Sequence, residues 1–305
     1  MTDVFDPGKQ TRAELNRRVF VGASAGAAAA GGSIAAALAQ TNAYGKFHPP
    51  IVPENDPSLT ASRVMLERPG GAIPAYTAVP KNATKTTPGV VVVQHIWGVD
   101  AQIRDVVRRL AKEGFVAIAP ALFARGNPPS GDTATDYTIF LPFAEKLDSR
   151  QVSGDLAAGA GWIRTRAGVA ANAVPPKVGI TGFCMGGGIA LSQIVHNPAP
   201  YQALAIFYGY LNQEGSPREP LTDATAGYVA KLTVPVEGNF GGRDSGIPAA
   251  SVRLFESKLT VPHDIKIYDE AGHGFFDDQR DSYVGSAAAD AWIRTIAFFK
   301  KYLTA

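Results

Sequence analysis

Beyond residue 62, two kinds of apolar pattern alternate along the chain. Short continuous apolar runs, such as the four valines at 90–93, are typical of strands buried on both faces of a parallel sheet. Longer segments with apolar residues three and four apart, such as 101–113, are typical of amphipathic helices. Further strands are predicted at 115–119, 177–181, 203–208, 234–239 and 264–268, and further helices at 155–166, from 184 onwards, 248–259 and 287–302. The alternation predicts an α/β fold with a mostly parallel sheet flanked by helices.

A predicted hairpin precedes these alternating segments. The strand-like runs 63–67 and 73–79 are separated by Pro69-Gly70-Gly71, a typical turn sequence. With this hairpin the sheet has about eight strands. Neither a repeat nor a second linker interrupts the pattern, so we predict one domain over residues 63–305. The Pro- and Asn-rich segment 41–62 predicts an extended lead-in to that domain.

The first forty residues differ from the rest of the chain. The pair Arg17-Arg18 precedes an uncharged Ala/Gly-rich run at 21–38, which ends in Ala37-Leu38-Ala39, a typical cleavage signature. A retained membrane anchor is the alternative, but glycine and alanine make a poor spanning helix. We therefore predict a twin-arginine export signal over 1–40. Its partner is the twin-arginine machinery, its destination is the bacterial periplasm or beyond, and processing leaves no stable membrane insertion.

Composition restricts the possible chemistry. The 29 basic and 27 acidic residues give a net charge of +2 without a basic block, so nothing indicates nucleic acid as a partner. The single cysteine, Cys184, excludes an intramolecular disulfide and a multi-cysteine zinc site. The five histidines are too scattered to suggest a metal site by spacing, and we predict none.

Cys184 occupies a sequence typical of a nucleophile elbow. The predicted strand 177–181 leads into Gly182-Phe183-Cys184-Met185-Gly186, the cysteine form of G-x-S-x-G. Such a turn places the thiol at a helix N-terminus, where the helix dipole favours the thiolate, and aims the amide of Met185 at an oxyanion. The alternative is a buried structural cysteine, which the flanking strand and helix make less favoured.

Two later loops supply the partners that an elbow needs. Asp244 follows the strand 234–239, and His273 follows the last strand, 264–268. The order nucleophile, acid, base is that of α/β-hydrolases. Each residue alone has another explanation, since Asp244 could serve turn formation and His273 could be an exposed loop residue. Their joint placement favours a Cys184–His273–Asp244 triad.

With these residues in place, the chain resembles the dienelactone hydrolase family from about Arg63 to the C-terminus. The matching segments are Val93-Gln94-His95-Ile96-Trp97-Gly98-Val99, Arg104-Asp105-Val106-Val107-Arg108-Arg109-Leu110-Ala111, Pro120-Ala121-Leu122-Phe123-Ala124-Arg125, the elbow, Phe207-Tyr208-Gly209, Gly242-Arg243-Asp244 and Ala271-Gly272-His273-Gly274-Phe275-Phe276. The resemblance implies the same triad, with the backbone amide of Ile96 as a second oxyanion donor beside Met185. It implies that Arg125 binds a substrate carboxylate, that no cofactor is needed, and that the substrate is a small lactone or ester.

Two positions depart from the family pattern. His95 stands where the family usually has a glutamate, and Asp277 stands where a second carboxylate-binding arginine is expected. The site therefore suits an anionic lactone less well than typical members do. His95 is either a half-buried imidazole whose hydrogen bonds are met within the protein, or a second imidazole near the thiol that favours the thiolate or, as a substrate contact, donates to a substrate oxygen.

Other candidate substrate contacts are Trp97, which could equally pack the core, and Phe275. The apolar residues Phe140, Leu141 and Phe143 could form a lid or an ordinary amphipathic helix.

The sequence thus predicts a hydrolase that cleaves a small ester or lactone, of the carboxymethylenebutenolidase type, through an acyl-cysteine intermediate. The alternative is an exported, non-catalytic protein that binds a small ligand in the same pocket.

Overall fold

The computed structural model describes residues 34–40, 48–165 and 175–304, in which seven helices and eight strands are found. The strands are β1 (Leu59–Leu66), β2 (Ile73–Pro80), β3 (Gly89–Val93), β4 (Val116–Pro120), β5 (Val178–Phe183), β6 (Ala203–Phe207), β7 (Val236–Gly241) and β8 (His263–Tyr268). The helices are α1 (Ile34–Gln40), α2 (Ala101–Lys112), α3 (Leu141–Glu145), α4 (Ser149–Thr165), α5 (Met185–His196), α6 (Ala249–Lys258) and α7 (Gly285–Leu303). Short 3-10 turns lie at Ala124–Gly126, Tyr137–Phe140 and Val229–Lys231.

All eight strands form one sheet in the order β1-β2-β4-β3-β5-β6-β7-β8. The predicted hairpin pairs β1 with β2, and β2 pairs with β4 in the antiparallel sense. The other neighbours are parallel. Every residue of β3, β4, β5, β6 and β7 is buried, because helices cover both faces of the parallel part. The predicted α/β fold with a mostly parallel, eight-stranded sheet is confirmed.

Parallel strands bring their carboxyl ends to one edge of the sheet. The loops that follow β3, β5, β7 and β8 therefore meet there. These loops carry Ile96, Cys184, Asp244 and His273 respectively. The topology gathers the predicted catalytic residues from positions spread over most of the chain.

One helix begins earlier than predicted. α4 starts at Ser149 rather than at 155 because Asp148 caps its first turn. The carboxylate of Asp148 accepts from the amide of Gln151 at 2.9 Å, and its carbonyl accepts from the amide of Val152. The polar residues of this first turn carry no helical apolar pattern, so periodicity missed them.

The described part of the lead-in is bound to helix α2. The carboxylate of Asp105 accepts from the amides of Ile51 at 2.8 Å and Val52 at 2.9 Å. It also pairs with Arg109 at 2.6 Å. Arg109 in turn binds Asp278, which lies five positions after His273. A buried ionic network thus links the lead-in, α2 and the loop that carries the predicted base.

Helix α1 lies within the predicted export signal, whose twin-arginine pair falls outside the described residues. α1 packs against α7 with Ile34, Ala35 and Leu38 buried. The hydroxyl of Tyr283 donates to the carbonyl of Leu38 at 2.6 Å. The end of the predicted signal thus lies against the folded domain. None of the helices in the described residues is long and apolar enough to span a membrane.

Candidate active site

The turn between β5 and α5 has the geometry of a nucleophile elbow. Cys184 adopts φ +56° and ψ −121°, which is strained for a residue with a side chain. A Cβ at Gly182 would lie 2.0 Å from the carbonyl oxygen of Gly186. A Cβ at Gly186 would lie 2.3 Å from the carbonyl oxygen of Gln94. Both positions, one on each side of the cysteine, require glycine because backbone atoms lie too close to leave room for a side chain.

The surroundings of Cys184 favour the thiolate. Burial raises the pKa of the thiol, but a hydrogen bond with His273, the charges of His273 and His95, and the amide of Met185 together lower it below its ordinary value. The thiol also lies at the N-terminus of α5, where the helix dipole stabilises negative charge. A thiolate rather than a thiol is the form that attacks carbonyl carbon.

The structure brings the three predicted triad residues together. Nδ1 of His273 lies 2.7 Å from Oδ2 of Asp244, and the same imidazole interacts with the thiol of Cys184. Oδ1 of Asp244 accepts from the amides of Gly246 at 2.9 Å and Ile247 at 3.1 Å. Burial lowers the pKa of His273, but its bonds and charge interactions with Asp244 and Cys184 raise it to about 10. This arrangement supports a thiolate–imidazolium pair at neutral pH.

Two tyrosines that the sequence analysis did not single out hold the imidazole of His273. The ring of Tyr208 meets it edge-on at 5.3 Å between centroids, and the ring of Tyr210 stacks at 6.4 Å. Tyr208 has φ +37°, an uncommon conformation for a bulky residue. Its membership of the Phe207-Tyr208-Gly209 motif was the available signal. These rings restrict the orientation of this imidazole.

The turn after β3 carries the predicted oxyanion donor Ile96. The carbonyl of His95 accepts from the amide of Gly98 at 3.1 Å, and Gly98 has φ +84°, which glycine adopts readily. This tight turn directs the backbone around Ile96. The close approach of Gly186 to Gln94 sets the turn beside the elbow.

His95, predicted as a substrate contact, is buried with only 3% of its surface exposed. Its Nε2 lies 2.8 Å from Asp100, and its Nδ1 lies 3.4 Å from Asp277. Burial lowers the pKa of this imidazole, but the two carboxylates raise it to about 10. His95 is therefore a buried cation near the thiol, and Asp277 is one of its partners.

The other predicted substrate contacts are engaged with protein groups. Trp97 lies beneath the guanidinium of Arg280, which is 3.7 Å from its ring centroid, and packs edge-on against Phe140. Phe275 is fully buried and packs against the rings of two tyrosines. The structure therefore places Phe275 in the core.

Arg125, expected to grip a substrate carboxylate, is bound to an internal carboxylate instead. Its Nη1 and Nη2 lie 2.7 and 2.9 Å from the two oxygens of Asp155. Arg68 binds the same carboxylate. The guanidinium is thus held in a two-point ion pair before any substrate arrives. Among the residues that could form a lid, Phe140 is buried, and helix α3 begins at Leu141.

No cluster of three or more potential metal ligands occurs within residues 34–40, 48–165 and 175–304.

Comparison with known proteins gives a consistent assignment. The model of the dienelactone hydrolase family matches residues 73–303. A protein of Escherichia coli K12 named "Putative carboxymethylenebutenolidase" is 37% identical over 258 residues, which cover 83% of this chain and 91% of that protein. A Bradyrhizobium protein named "Probable 2-oxo-3-(5-oxofuran-2-ylidene)propanoate lactonase" is 31% identical over 233 residues, covering 75% of this chain and 89% of that protein.

Among solved structures, one described as a "Putative Dienelactone Hydrolase" from Klebsiella pneumoniae is similar, with a TM-score of 0.68 and 36% identity. The match covers 80% of this chain and 99% of that one. The family model spans well over half of the chain, and the curated relatives are matched over most of their own length. The chain therefore belongs to the dienelactone hydrolase family.

Proposed function

We propose that this ester and lactone hydrolase works by acyl transfer to Cys184, with His273 as proton carrier and Asp244 as its orienting acid. The observation that carries the proposal is the placement of His273 between Asp244, to which it is hydrogen-bonded, and the thiol of Cys184 on an elbow, with which it interacts. A structural cysteine would need neither the strained turn nor the aligned imidazole and buried carboxylate.

In the first half of the reaction, the thiolate of Cys184 attacks the carbonyl carbon of the substrate. The carbonyl electrons move to oxygen, and the amides of Ile96 and Met185 donate to the resulting oxyanion. When the tetrahedral intermediate collapses, the bond to the alkoxy oxygen breaks and His273 gives that oxygen its proton. The product of this half is an acyl-cysteine thioester and a released alcohol.

In the second half, neutral His273 removes a proton from water, and the hydroxide attacks the thioester carbonyl. Collapse of the second intermediate expels the thiolate and releases the carboxylic acid. The carboxylate of Asp244 accepts from two backbone amides besides the imidazole, which fixes its orientation. The buried cation His95 adds positive potential at the thiolate in both halves.

We propose further that the substrate is small and uncharged. Both Nη atoms of Arg125, the group that would bind a substrate carboxylate, are already bonded to Asp155, a carboxylate that Arg68 shares. Asp277, at the position where a second arginine is expected, is a buried carboxylate that faces His95. A substrate carboxylate would gain little from either position, because Arg125 is bonded to Asp155 and Asp277 is a carboxylate paired with His95 rather than a cation. Neutral phenyl esters and simple lactones are the substrates this arrangement supports.

The test is a panel of neutral and anionic esters and lactones, assayed with the native protein and with Cys184→Ala. We expect Cys184→Ala to remove turnover, and the native protein to hydrolyse neutral substrates with the higher kcat/KM. Residual turnover in Cys184→Ala would contradict the nucleophile, and a preference for anionic substrates would contradict the substrate class. Slow alkylation of Cys184 with no turnover of any substrate would favour a non-catalytic ligand-binding protein.

Export by the twin-arginine route remains a proposal supported by Arg17-Arg18, the uncharged run and the cleavage signature. The chain would then act in the bacterial periplasm or outside the cell. Replacing both arginines with lysine should hold the protein in the cytoplasm while leaving its esterase activity in lysates unchanged. Fractionation that finds the double variant exported as well as the native protein would refute the route.

A further inference from the structure

Two other segments pack against the turn that follows β3. The backbone of the loop 127–136 lies directly on it, since a Cβ at Gly131 would lie 2.1 Å from the carbonyl oxygen of Trp97. The loop between β8 and α7, which carries the proposed proton carrier, supplies Arg280. The side chain of Arg280 is only 14% exposed, because it lies between these segments.

The guanidinium of Arg280 contacts the turn and the loop 127–136 at once. It covers the ring of Trp97, at 3.7 Å from the ring centroid. Its Nη2 donates to the carbonyl of Gly131 at 3.0 Å, and its Nη1 donates to the carbonyl of Ala134 at 2.5 Å. A planar guanidinium can make two directed hydrogen bonds while it stacks on an aromatic ring, and an ammonium cannot. These contacts therefore require the shape of arginine and not only its charge.

Arg280 also shares two carboxylates with His95. Oδ2 of Asp100 lies 3.7 Å from Nη2 of Arg280, and Oδ2 of Asp277 lies 3.9 Å from its Nε. The same carboxylates lie 2.8 and 3.4 Å from the imidazole of His95. Because both are closer to His95, the two carbonyls and the indole ring chiefly set the position of the guanidinium.

Consecutive turns connect His273 to Arg280 along the chain. The carbonyl of Gly274 accepts from the amide of Asp277 at 2.9 Å, and the carbonyl of Asp277 accepts from the amide of Arg280 at 3.1 Å. These bonds fix Arg280 relative to the imidazole of His273. Arg280 also holds the residue that follows Ile96. One side chain thus links the proposed proton carrier to the proposed oxyanion donor.

We propose that Arg280 is a positioning residue for hydrolysis, a role that rests on the proposed function because it takes Ile96 as an oxyanion donor. Arg280 acts through Trp97 and Gly131, which it holds so that the amide of Ile96 points at the developing oxyanion. A misplacement of about 1 Å can cost about 100-fold in rate. Preorganised donors of this kind act on the transition state, so their displacement lowers kcat more than it changes KM.

The test compares phenyl acetate with phenyl thionoacetate, in which sulfur replaces the carbonyl oxygen. Sulfur is a weak hydrogen-bond acceptor, so the thionoester gains less from oxyanion donors. Arg280→Lys keeps the charge but cannot make the two carbonyl bonds and the ring contact together. We expect kcat for phenyl acetate to fall about tenfold with KM nearly unchanged, and kcat/KM for the thionoester to change by less than about twofold.

Alkylation of Cys184 by iodoacetamide separates positioning from an effect on the thiolate. This reaction forms no oxyanion, so its rate should be the same in native protein and in Arg280→Lys. The matched control is Arg253→Lys, which changes an exposed arginine on α6 and should leave all three rates unchanged.

A second variant, Arg280→Gly, tests the shape of the missing group. Added methylguanidinium should restore part of kcat for phenyl acetate, and methylammonium, which has the same charge, should not. Circular dichroism checks that both variants keep the fold.

The outcomes distinguish this role from the proposed nucleophile. Turnover that survives in Cys184→Ala would contradict the nucleophile but not the role of Arg280, because an oxyanion forms whichever nucleophile attacks the carbonyl. Equal losses for the ester and the thionoester, a parallel loss of alkylation rate, or full activity of Arg280→Lys would each overturn the role of Arg280. Equal rescue of Arg280→Gly by methylguanidinium and methylammonium, or none by either, would also overturn it.

Discussion

At the scale of single residues, two imidazoles act on one thiol. His273 is oriented by Asp244 and partly open to solvent, with 35% of its side chain exposed. His95 is enclosed by Asp100 and Asp277. Each has a pKa raised to about 10. Only His273 contacts the thiol, so it alone can move a proton, whereas His95 contributes through its charge.

This difference predicts the effect of replacing His95 with glutamine. Gln keeps a donor toward Asp100 but removes the positive charge near Cys184, so the pKa of the thiol should rise. Less thiolate would then be present at neutral pH, and the rate of alkylation by iodoacetamide should reach its plateau at a higher pH than in the native protein. The shift is measured from the pH dependence of the alkylation rate between pH 5 and 10. This range includes the pKa of an unperturbed cysteine, about 8.5.

The control is His196→Gln, which removes an exposed imidazole at the end of α5. Its profile should match the native one. An alkylation profile that does not move in His95→Gln would remove His95 from the electrostatics of the site, and circular dichroism of both variants checks that the fold is retained.

At the scale of elements, local pattern made the sheet and the elbow predictable. The valine run of β3 and the glycines around Cys184 carry their meaning in a few consecutive residues. The contacts of Arg125 and Phe275 cannot be read from neighbouring residues, since Arg125 binds Asp155 thirty positions away and Phe275 packs against Tyr208. Whether an arginine or a phenylalanine faces substrate depends on such distant contacts, and periodicity does not report them.

The ionic network around Asp105 joins three elements and leads to a prediction for stability. Its carboxylate accepts from two amides of the lead-in and from Arg108 and Arg109. Asp105→Asn leaves Arg109 buried beside a neutral group, with only Asp278 for compensation. Breaking such a buried pair costs about 3–5 kcal/mol. The free energy of unfolding from urea titration should fall by that amount.

Asp281→Asn, at an exposed position, is the matched control and should change stability by less than about 0.5 kcal/mol. Equal stabilities of Asp105→Asn and the native protein would show that the lead-in is held by other contacts.

At the scale of the whole molecule, one buried acid gives stability a pH dependence. Burial raises the pKa of Glu237 on β7 from its ordinary value of 4.5 to about 8. Arg294, Asn239 and Thr295 act in the opposite direction. The native state therefore keeps a proton that the unfolded chain loses. Between pH 4.5 and 8 the unfolded state is progressively favoured, so stability falls as pH rises through this window.

Glu237→Gln removes the titrating group and should flatten that part of the stability curve. Urea titrations at pH 5, 6.5 and 8 measure it. We expect the native protein to lose more stability than Glu237→Gln between the first and last of these. Parallel curves for the two proteins would mean that Arg294, 3.6 Å from Glu237, keeps the carboxylate ionised in the native state.

Helix α1 connects the fold to the proposed export route. If the signal is cut after Ala39, the exported protein loses α1, and the face of α7 that it covers becomes exposed. Burial of Ile34 and Leu38 is worth roughly 1.5–3 kcal/mol each. A chain that begins at Gln40 should therefore melt several degrees lower than the full chain. Its kcat/KM should be unchanged, because α7 carries none of the proposed catalytic residues.

Mass spectrometry of the exported protein identifies the N-terminus, and calorimetry compares the melting temperatures of the two forms. Residues 34–39 retained in the exported protein would contradict the prediction by placing cleavage elsewhere. A shortened chain with the same melting temperature as the full chain would show that α1 does not contribute to stability.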